Sequence, residues 1–563
     1  MLLLSITSFF KLYFYAWLNL WSFGFIGVFY LIVNFLLVNI FILWWKFYYL
    51  WVYEVWVEYF SFLWVDYFNN ILIFFNLKFD FFNVICSLVM LTGGMFVMNF
   101  IFIELWDDKE GSCFLITLGI FVSFMLILIN SNDLIVFYFG WEGISITSLF
   151  LVHFWSERAR SFKAAFKVFV INKLGDFFIM ILFCILFFFI GNMNFSVINS
   201  LSLLLLNTKY YLGSFIINLQ ELLGILIILG GSVKSAQVGF HIWLLEAMEA
   251  PLGASALMHS STLVIAGLVL IYKLIILVEL SCYAQLLMYF LGVFSAFLGA
   301  LFACFQFELK VIMAYSTISN MGYIFILCSL GLYDYMILAL VLHAYIKIFL
   351  FLMVGSVMLH CNGCQDVRYF GLLFSYASYL YIFFFLGVIT LAGFPYFSGY
   401  YYKFFLWKEA NLCLPLISFG RYVLFGSFFL TYVYSFRCLF LIFFGSKNGH
   451  FSIYKLKNVS LLYILSIFVL GSVIMHNSYF WVNLIETNLN LLTTDIVYLT
   501  KLGWFYTCSK ISYSIYYIWI NLYLIFYFFI FSYVTFILKN DWLFIKYFNI
   551  NFCIINILYL CFC

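Results

Sequence analysis

The chain alternates long apolar stretches with short polar ones. The apolar runs predict spanning helices at about 81–103, 113–131 and 133–155, then near 166–190, 222–245, 254–277, 284–305, 310–330 and 334–359. Further runs lie near 375–394, 397–410, 416–444, 459–482 and 513–538, with a shorter apolar end at 544–563. The very aromatic region 1–77 adds one or two spans, and 483–512 is mixed, a loop or an interfacial helix. Polar segments separate the runs: WDDKEGS at 106–112, SERARSFK at 156–163, HCNGCQDVRYFG at 360–371 and GSKNGHFSIYKLKN at 445–458. The runs are continuous, whereas barrel strands alternate over about ten residues. At about 20 residues per span the chain holds about 15 spans and no large soluble domain. The expected fold class is an all-α polytopic membrane protein. Four regions follow: N-terminal helices at 1–79, a first repeat region at 80–275, a second at 276–445, and C-terminal helices at 446–563.

Composition agrees. Of 563 residues 67% are hydrophobic and 9% charged, against about 25% charged in a soluble protein. The net charge of +3, with no basic cluster, argues against a nucleic-acid partner. Phe (78) and Tyr (43) abound and Pro (3) is scarce, a bias that an AT-rich organellar genome would produce. The first arginine is Arg158, whereas transit peptides are Arg-rich, so the N-terminus reads as the first membrane anchor. The 14 cysteines are scattered, mostly in apolar runs, and behave there as small hydrophobes. Cys361-Asn-Gly-Cys364 is a lone CxxC and reads as a loop, since zinc or redox function calls for a second pair or a suitable fold.

Ionisable residues inside the apolar runs are the informative signal, because each costs about 2.5–3.5 kcal/mol at mid-membrane. They are Glu142, Lys173, Asp176, Lys234, Glu246, Glu249, His259, Lys273, His343, Lys347 and Lys403. Lys173 and Asp176 read as close to a helix start, Lys273 as able to snorkel to a surface, and Glu246 and Glu249 adjoin a break at Pro251. Lys234 sits in GGSVKSAQVGF and Lys403 in GFPYFSGYYYK. Glycine, proline and small polar residues there predict interrupted helices, which membranes tolerate where they line a buried site. His343 and Lys347 are four apart and share a helix face, as a proton relay or as a polar seam. For His259 a relay role and a plain interhelical hydrogen bond fit equally. A buried lysine and a carboxylate suit proton transfer, because the charge on one controls proton occupancy on the other.

GWEGISITSLFLVHFW, KAAFKVFVINKLGDF, KSAQVGFHIWLLEAMEAPLGASALMHSSTLVIAG, STISNMGYI, HAYIKIFLFLMVGSVMLH, QDVRYFG and LAGFPYFSGYYYK, in this order over about residues 80–445, resemble the antiporter-like membrane subunits of respiratory complex I. The resemblance implies two inverted five-helix repeats, each with a broken helix. It implies a glutamate–lysine pair of Glu142 and Lys234, with Asp176 near the glutamate. His259 would be the central connecting residue, Lys347 (with His343 beside it by spacing) part of the onward relay, and Lys403 the terminal proton-carrying lysine of the second repeat. It further implies no redox centre in this chain. FMN, iron–sulfur clusters and ubiquinone would sit in partner subunits, the neighbours would be other membrane-arm subunits and lipid, and the location would be the mitochondrial inner membrane. This sequence departs from the family pattern at Gly239 and Gly253, where proline is usual, at Ala339, where many members carry histidine, and at Phe404, where an acid is usual. The rival readings are a subunit of a multisubunit cation/proton antiporter, a histidine-ligated haem protein, and a scaffold with lost pump residues.

Overall fold

The computed structural model describes residues 29, 32–43, 46, 58–67, 71–106, 108, 110–202, 209–212, 215–394, 397–410 and 415–445. The expected spans near 459–482 and 513–538 and the terminal run 544–563 lie outside them. Among the described residues nine helices are long and apolar enough to cross a membrane, and the protein is a helical, multi-pass membrane protein.

A short helix α1 (Ile32–Leu43) precedes a hairpin of β1 (Glu58–Tyr67) and β2 (Ile71–Phe79). The strands pair antiparallel from Glu58↔Phe79 to Tyr67↔Ile71, with a register irregularity between Leu63 and Val65. One or two spans without fixed ends were expected within 1–77. Glu58, Asp66, Asn69, Asn70, Asn76 and Lys78 interrupt the apolar run too often for a spanning helix, and the aromatic and β-branched residues between them favour strands.

Helices α2 (Phe81–Glu104), α3 (Gly111–Asn130), α4 (Leu134–Val152) and α5 (Ala159–Ile190) follow, within a few residues of their predicted bounds except at the start of α5. That 32-residue helix begins inside the basic SERARSFK segment. Lys173 and Asp176 therefore sit near its middle, not close to its start as the apolar pattern alone suggested. A short α6 (Phe195–Leu201) and a small hairpin, β3 (Lys209–Leu212) with β4 (Phe215–Asn218), lead to α7 (Leu219–Lys234).

The span expected at 222–245 is interrupted. Helix α7 stops at Lys234, and the chain turns through Ala236 and Gly239, both with positive φ (53° and 99°). Glycine is the residue that adopts such backbone without strain, so Gly239 serves in the position where proline would otherwise break the helix. Then come α8 (Ile242–Glu246), a 3₁₀ turn (Ala247–Glu249), α9 (Leu252–Ser260) starting after Pro251, α10 (Leu263–Lys273) and α11 (Ile275–Glu279). The helical run from Leu252 to Lys273 is itself broken at Ser261–Thr262, next to His259.

The remaining helices are α12 (Cys282–Phe305), α13 (Leu309–Ser329), α14 (Tyr333–His360), α15 (Leu373–Tyr376), α16 (Ser378–Ala392), α17 (Ser398–Ala410) and α18 (Pro415–Phe443). With 15 and 13 residues, α16 and α17 are each shorter than a full crossing. Gly393, at φ 81°, ends α16. Pro395 lies outside the described residues.

The chain forms two compact units. The first runs to Tyr289 and includes His343–Leu352. The second holds Phe290–Leu342 and resumes at Met353. In the first unit, close helix approach positions the charged residues. A side chain at Gly140 would meet the Leu128 backbone at 2.8 Å, and one at Gly143 would overlap the Phe124 ring. These two glycines flank Trp141–Glu142 and let α4 lie tight against α3. The outer face of α5 is apolar and exposed at Phe162, Phe166, Leu174, Phe177 and Phe188, as suits a surface that meets lipid or another membrane chain.

Candidate functional site

In the first unit four charged side chains converge on Trp141. The indole Nε1 of Trp141 donates to Asp176 Oδ1 at 2.7 Å. Its carbonyl accepts from Lys234 Nζ at 3.2 Å, and its ring lies 4.8 Å from the same ammonium. The next residue, Glu142, accepts from Tyr138 OH at 2.6 Å and from Ser145 Oγ at 3.3 Å, and it is ion-paired with Lys173. Lys173 also reaches Asp176 Oδ2 at 3.0 Å. Two carboxylates and two ammonium groups thus balance inside an apolar bundle, which is how buried charge is tolerated.

The geometry differs from a simple glutamate–lysine pair. Glu142 holds Lys173, and Lys234 sits across the Trp141 peptide, fully buried and without a carboxylate in ion-pair contact among the described residues. Both Asp176 and Glu142 are close enough to act on its charge. Lys173 is the member the sequence reading set aside as lying near a helix start. Its signal was the Lys173–Asp176 spacing of three, which puts both on one face of α5. Side-chain exposure is graded: Lys173 is 38% exposed, Glu142 22% and Asp176 5%. The cluster reaches the outer face of α4 and α5 at Lys173.

Further along the same unit, His259 is fully buried between the Trp243 and Phe351 rings, each 6.2 Å away. Its two ring nitrogens have no protein partner among the described residues. His343 is buried with its ring against the backbone of His259. Lys347, one turn further along α14, is fully buried. Buried polar atoms without protein partners are the positions at which ordered water binds. Lys273 does not run out to the surface. Its ammonium bonds the Ser131 carbonyl and, at 3.2 Å, the Ser131 hydroxyl, closing the end of α3. Glu246 pairs with Lys167 at 2.5 Å, a partly exposed contact.

In the second unit Lys403 is 1% exposed. Its ammonium donates to the carbonyls of Leu391 (2.8 Å) and Ala392 (3.1 Å) and to Thr431 Oγ1 (3.3 Å). The two carbonyls end α16, so the lysine satisfies acceptors that a helix terminus leaves open, at the negative end of its dipole. The Tyr323 and Phe428 rings lie 5.6 and 5.9 Å from it. Among the described residues no carboxylate forms an ion pair with Lys403. Phe404 stacks on Tyr400, ring centroids 5.5 Å apart, and Ala339 is buried. In the loop after α14, Asp366 binds the Arg368 guanidinium through Nε at 2.8 Å. Burial works to raise the Asp366 carboxyl, and the arginine overrides it, holding it below the ordinary carboxylate value.

Comparison with known proteins now bears on these sites. The family model described as NADH:quinone oxidoreductase/Mrp antiporter, TM, matches residues 131–432, a range that holds Lys234, Lys347 and Lys403. The chain is 39% identical over 377 residues to NADH-ubiquinone oxidoreductase chain 5 of Paramecium tetraurelia, covering 65% of this chain and 64% of that one. It is 34% identical over 348 residues to the protein of that name from Chondrus crispus, covering 61% and 52%, and 31% identical over 481 residues to that from Acanthamoeba castellanii, covering 82% and 70%. The chain thus spans between about half and two thirds of the length of most of these relatives. A solved structure of an Mrp complex from Dietzia sp. matches with a TM-score of 0.70 at 18% identity, over 91% of this chain and 53% of that one, a likeness of fold. The chain belongs to the NADH:quinone oxidoreductase/Mrp antiporter transmembrane family.

Proposed function

We propose that this chain is a proton-translocating membrane-arm subunit of NADH:ubiquinone oxidoreductase in the mitochondrial inner membrane, encoded by the organelle. The observation that carries the reading is the charge-balanced cluster of Glu142, Lys173, Asp176 and Lys234 around Trp141. A static structural role needs one good ion pair. Two carboxylates sharing a cation, with a second lysine on the far side of the same tryptophan, form an arrangement with two pairings.

In this mechanism Glu142 exchanges partners. While it holds Lys173, Lys234 feels mainly Asp176. When Glu142 releases Lys173, the field on Lys234 changes. Charges about 4 Å apart at an effective dielectric of about 20 interact by about 4 kcal/mol, enough to change proton occupancy by orders of magnitude. The proton leaving Lys234 passes through His259, His343 and Lys347, with water at the unpartnered His259 nitrogens. Lys403 is the terminal carrier of the second unit. NADH oxidation and quinone reduction take place in partner subunits that carry FMN and iron–sulfur clusters and bind ubiquinone, and their energy reaches this chain mechanically or electrostatically.

The exposure of Lys173 supports membership of a larger assembly. A charged pair open to lipid costs about 2.5–3.5 kcal/mol per group at mid-membrane. A neighbouring antiporter-like subunit laid over α4 and α5 removes that cost. The second reading, a subunit of a multisubunit cation/proton antiporter, is favoured by the likeness to the Mrp structure. One experiment separates the two. Detergent-solubilised membranes are run on a native gel, stained for NADH oxidation, and searched by mass spectrometry for this chain. Co-migration with a very large NADH-oxidising band is expected. Migration in a smaller assembly without NADH activity would overturn the complex I reading and make sodium–proton exchange the next assay.

A further inference from the structure

The Cys361–Cys364 pair is not used by the proton path, and the structure gives it a definite geometry. Helix α14 ends at His360, and the chain reverses through Cys361-Asn362-Gly363-Cys364. Asn362 and Gly363 both have positive φ, 55° and 76°. The Cys364 amide donates to the Cys361 carbonyl at 3.2 Å. Two central residues with positive φ and a hydrogen bond from the fourth to the first residue describe a type I′ turn, for which Asn-Gly is the favoured pair. A turn of this kind brings its end Cα atoms within about 7 Å, and disulfides form at Cα separations of about 4.4–6.8 Å.

The turn is also held on both sides. Gly363 N donates to Met358 O at 2.8 Å on the helix side. Beyond Cys364, Leu309 N donates to Gln365 O at 3.0 Å and Val367 N to Phe307 O at 2.8 Å. The two thiols are thus placed by backbone that is already ordered, which removes most of the entropy cost of closing the ring. They differ in access. Cys361 is fully buried, Cys364 is partly exposed with its Sγ 4.0 Å from the Asp366 carbonyl, and neither is in a disulfide.

We infer that Cys361 and Cys364 form a reversible thiol–disulfide site closed by a low-molecular-weight disulfide of the glutathione type. The Cys364 thiolate attacks one sulfur of the incoming disulfide, forming a mixed disulfide and releasing one thiol. Cys361 then loses its proton and attacks the Cys364 sulfur, releasing the second thiol. Two protein thiols are oxidised to one disulfide, and one small disulfide is reduced to two thiols. Closure ties the turn to the last residues of α14, and a dithiol reductant reopens it.

The test uses the assembled protein in its membrane. Samples are treated with oxidised glutathione or with dithiothreitol, alkylated, digested and analysed by mass spectrometry. The stretch between Lys347 and Arg368 contains these two cysteines and no other, so one peptide reports the site. After glutathione disulfide it should carry no alkyl group and weigh two hydrogens less than the dithiol peptide, and dithiothreitol should restore double alkylation. Gly363→Val keeps both thiols but strains the turn, because Gly363 has positive φ, and should lower the yield of closure about tenfold. A wild-type peptide that stays doubly alkylated, or that carries glutathione on Cys364 without closing, overturns the proposal. So does equal closure in Gly363→Val, which would show that the turn geometry is irrelevant.

Discussion

Lys234 and Lys403 are both fully buried, and both stand beside a helix break, yet they are held in opposite ways. Lys234 ends its helix and shares Trp141 with two carboxylates and a second lysine. Lys403 lies on the helix after the break and donates to the open carbonyls of the helix before it. Side-chain charges can change partners, whereas backbone carbonyls of an intact helix end cannot. The first environment is therefore switchable and the second is fixed. Under the proposed function the first would set when a proton moves, and the second would provide a site of constant character. The departure at Phe404 belongs to this contrast: where a carboxylate would make the second site adjustable, an aromatic ring stacks instead.

The comparison is broken most sharply at Glu142. Glu142→Gln removes the charge that the proposed switch requires while keeping hydrogen bonds to Tyr138 and Ser145. Proton pumping per NADH oxidised, measured in reconstituted vesicles, should fall at least about tenfold, well within the roughly 4 kcal/mol available from a close charge pair, with the complex still assembled. Normal stoichiometry in that variant would remove the switch. Next in size is Lys173→Met, which leaves Glu142 and Asp176 with Lys234 as the remaining nearby cation. Pumping should drop several-fold to about tenfold, since an unpaired buried carboxylate costs several kcal/mol. Lys173→Arg should restore most of it, and equal loss in both variants would argue for packing rather than charge.

At the second site the expected effects are smaller. Thr431→Val removes one of three acceptors of Lys403 and should cost about 1 kcal/mol of local stability, seen as at most a several-fold change in pumping. A loss as large as that of Glu142→Gln would mean that the second site is the adjustable one. The surface pair Asp366–Arg368 gives the lower bound. Asp366→Asn should change thermal stability of the complex by less than about 1 kcal/mol, as for other water-facing pairs. Because the native carboxyl lies below its unfolded value, the contribution is complete above about pH 4 and disappears as pH falls through the native value. A melting curve that moves the other way with pH would reverse the sign assigned to the pair.

Much of the helical frame was legible in the chain. The bounds of α2, α3, α4, α12, α13 and α14 fall within a few residues of the apolar runs, because lipid demands about 20 apolar residues and a helix that satisfies its own backbone. The two breaks were legible too, from glycine and small polar residues around Lys234 and Lys403. The hairpin of β1 and β2 was not, because an aromatic run with scattered polar residues satisfies a weak helical and a weak strand pattern alike. The depth of Lys173 was missed for a related reason: a basic segment reads as a loop, yet here it forms the first turn of α5.

Hydropathy and backbone preference along the chain were enough to show a multi-pass helical membrane protein, a set of ionisable residues inside its apolar runs, and the two helix breaks beside Lys234 and Lys403. These are local properties. The packing of the helices pairs Glu142 with Lys173, brings Lys234 against Trp141 near Asp176 and Glu142, and rests Lys403 on the end of α16. Those partners come from residues 11 to 93 positions apart, and which of several opposite charges touch is set by how closely the helices approach. At Gly140 and Gly143 that approach depends on a missing side chain, a property of the packed bundle that no single stretch of sequence expresses.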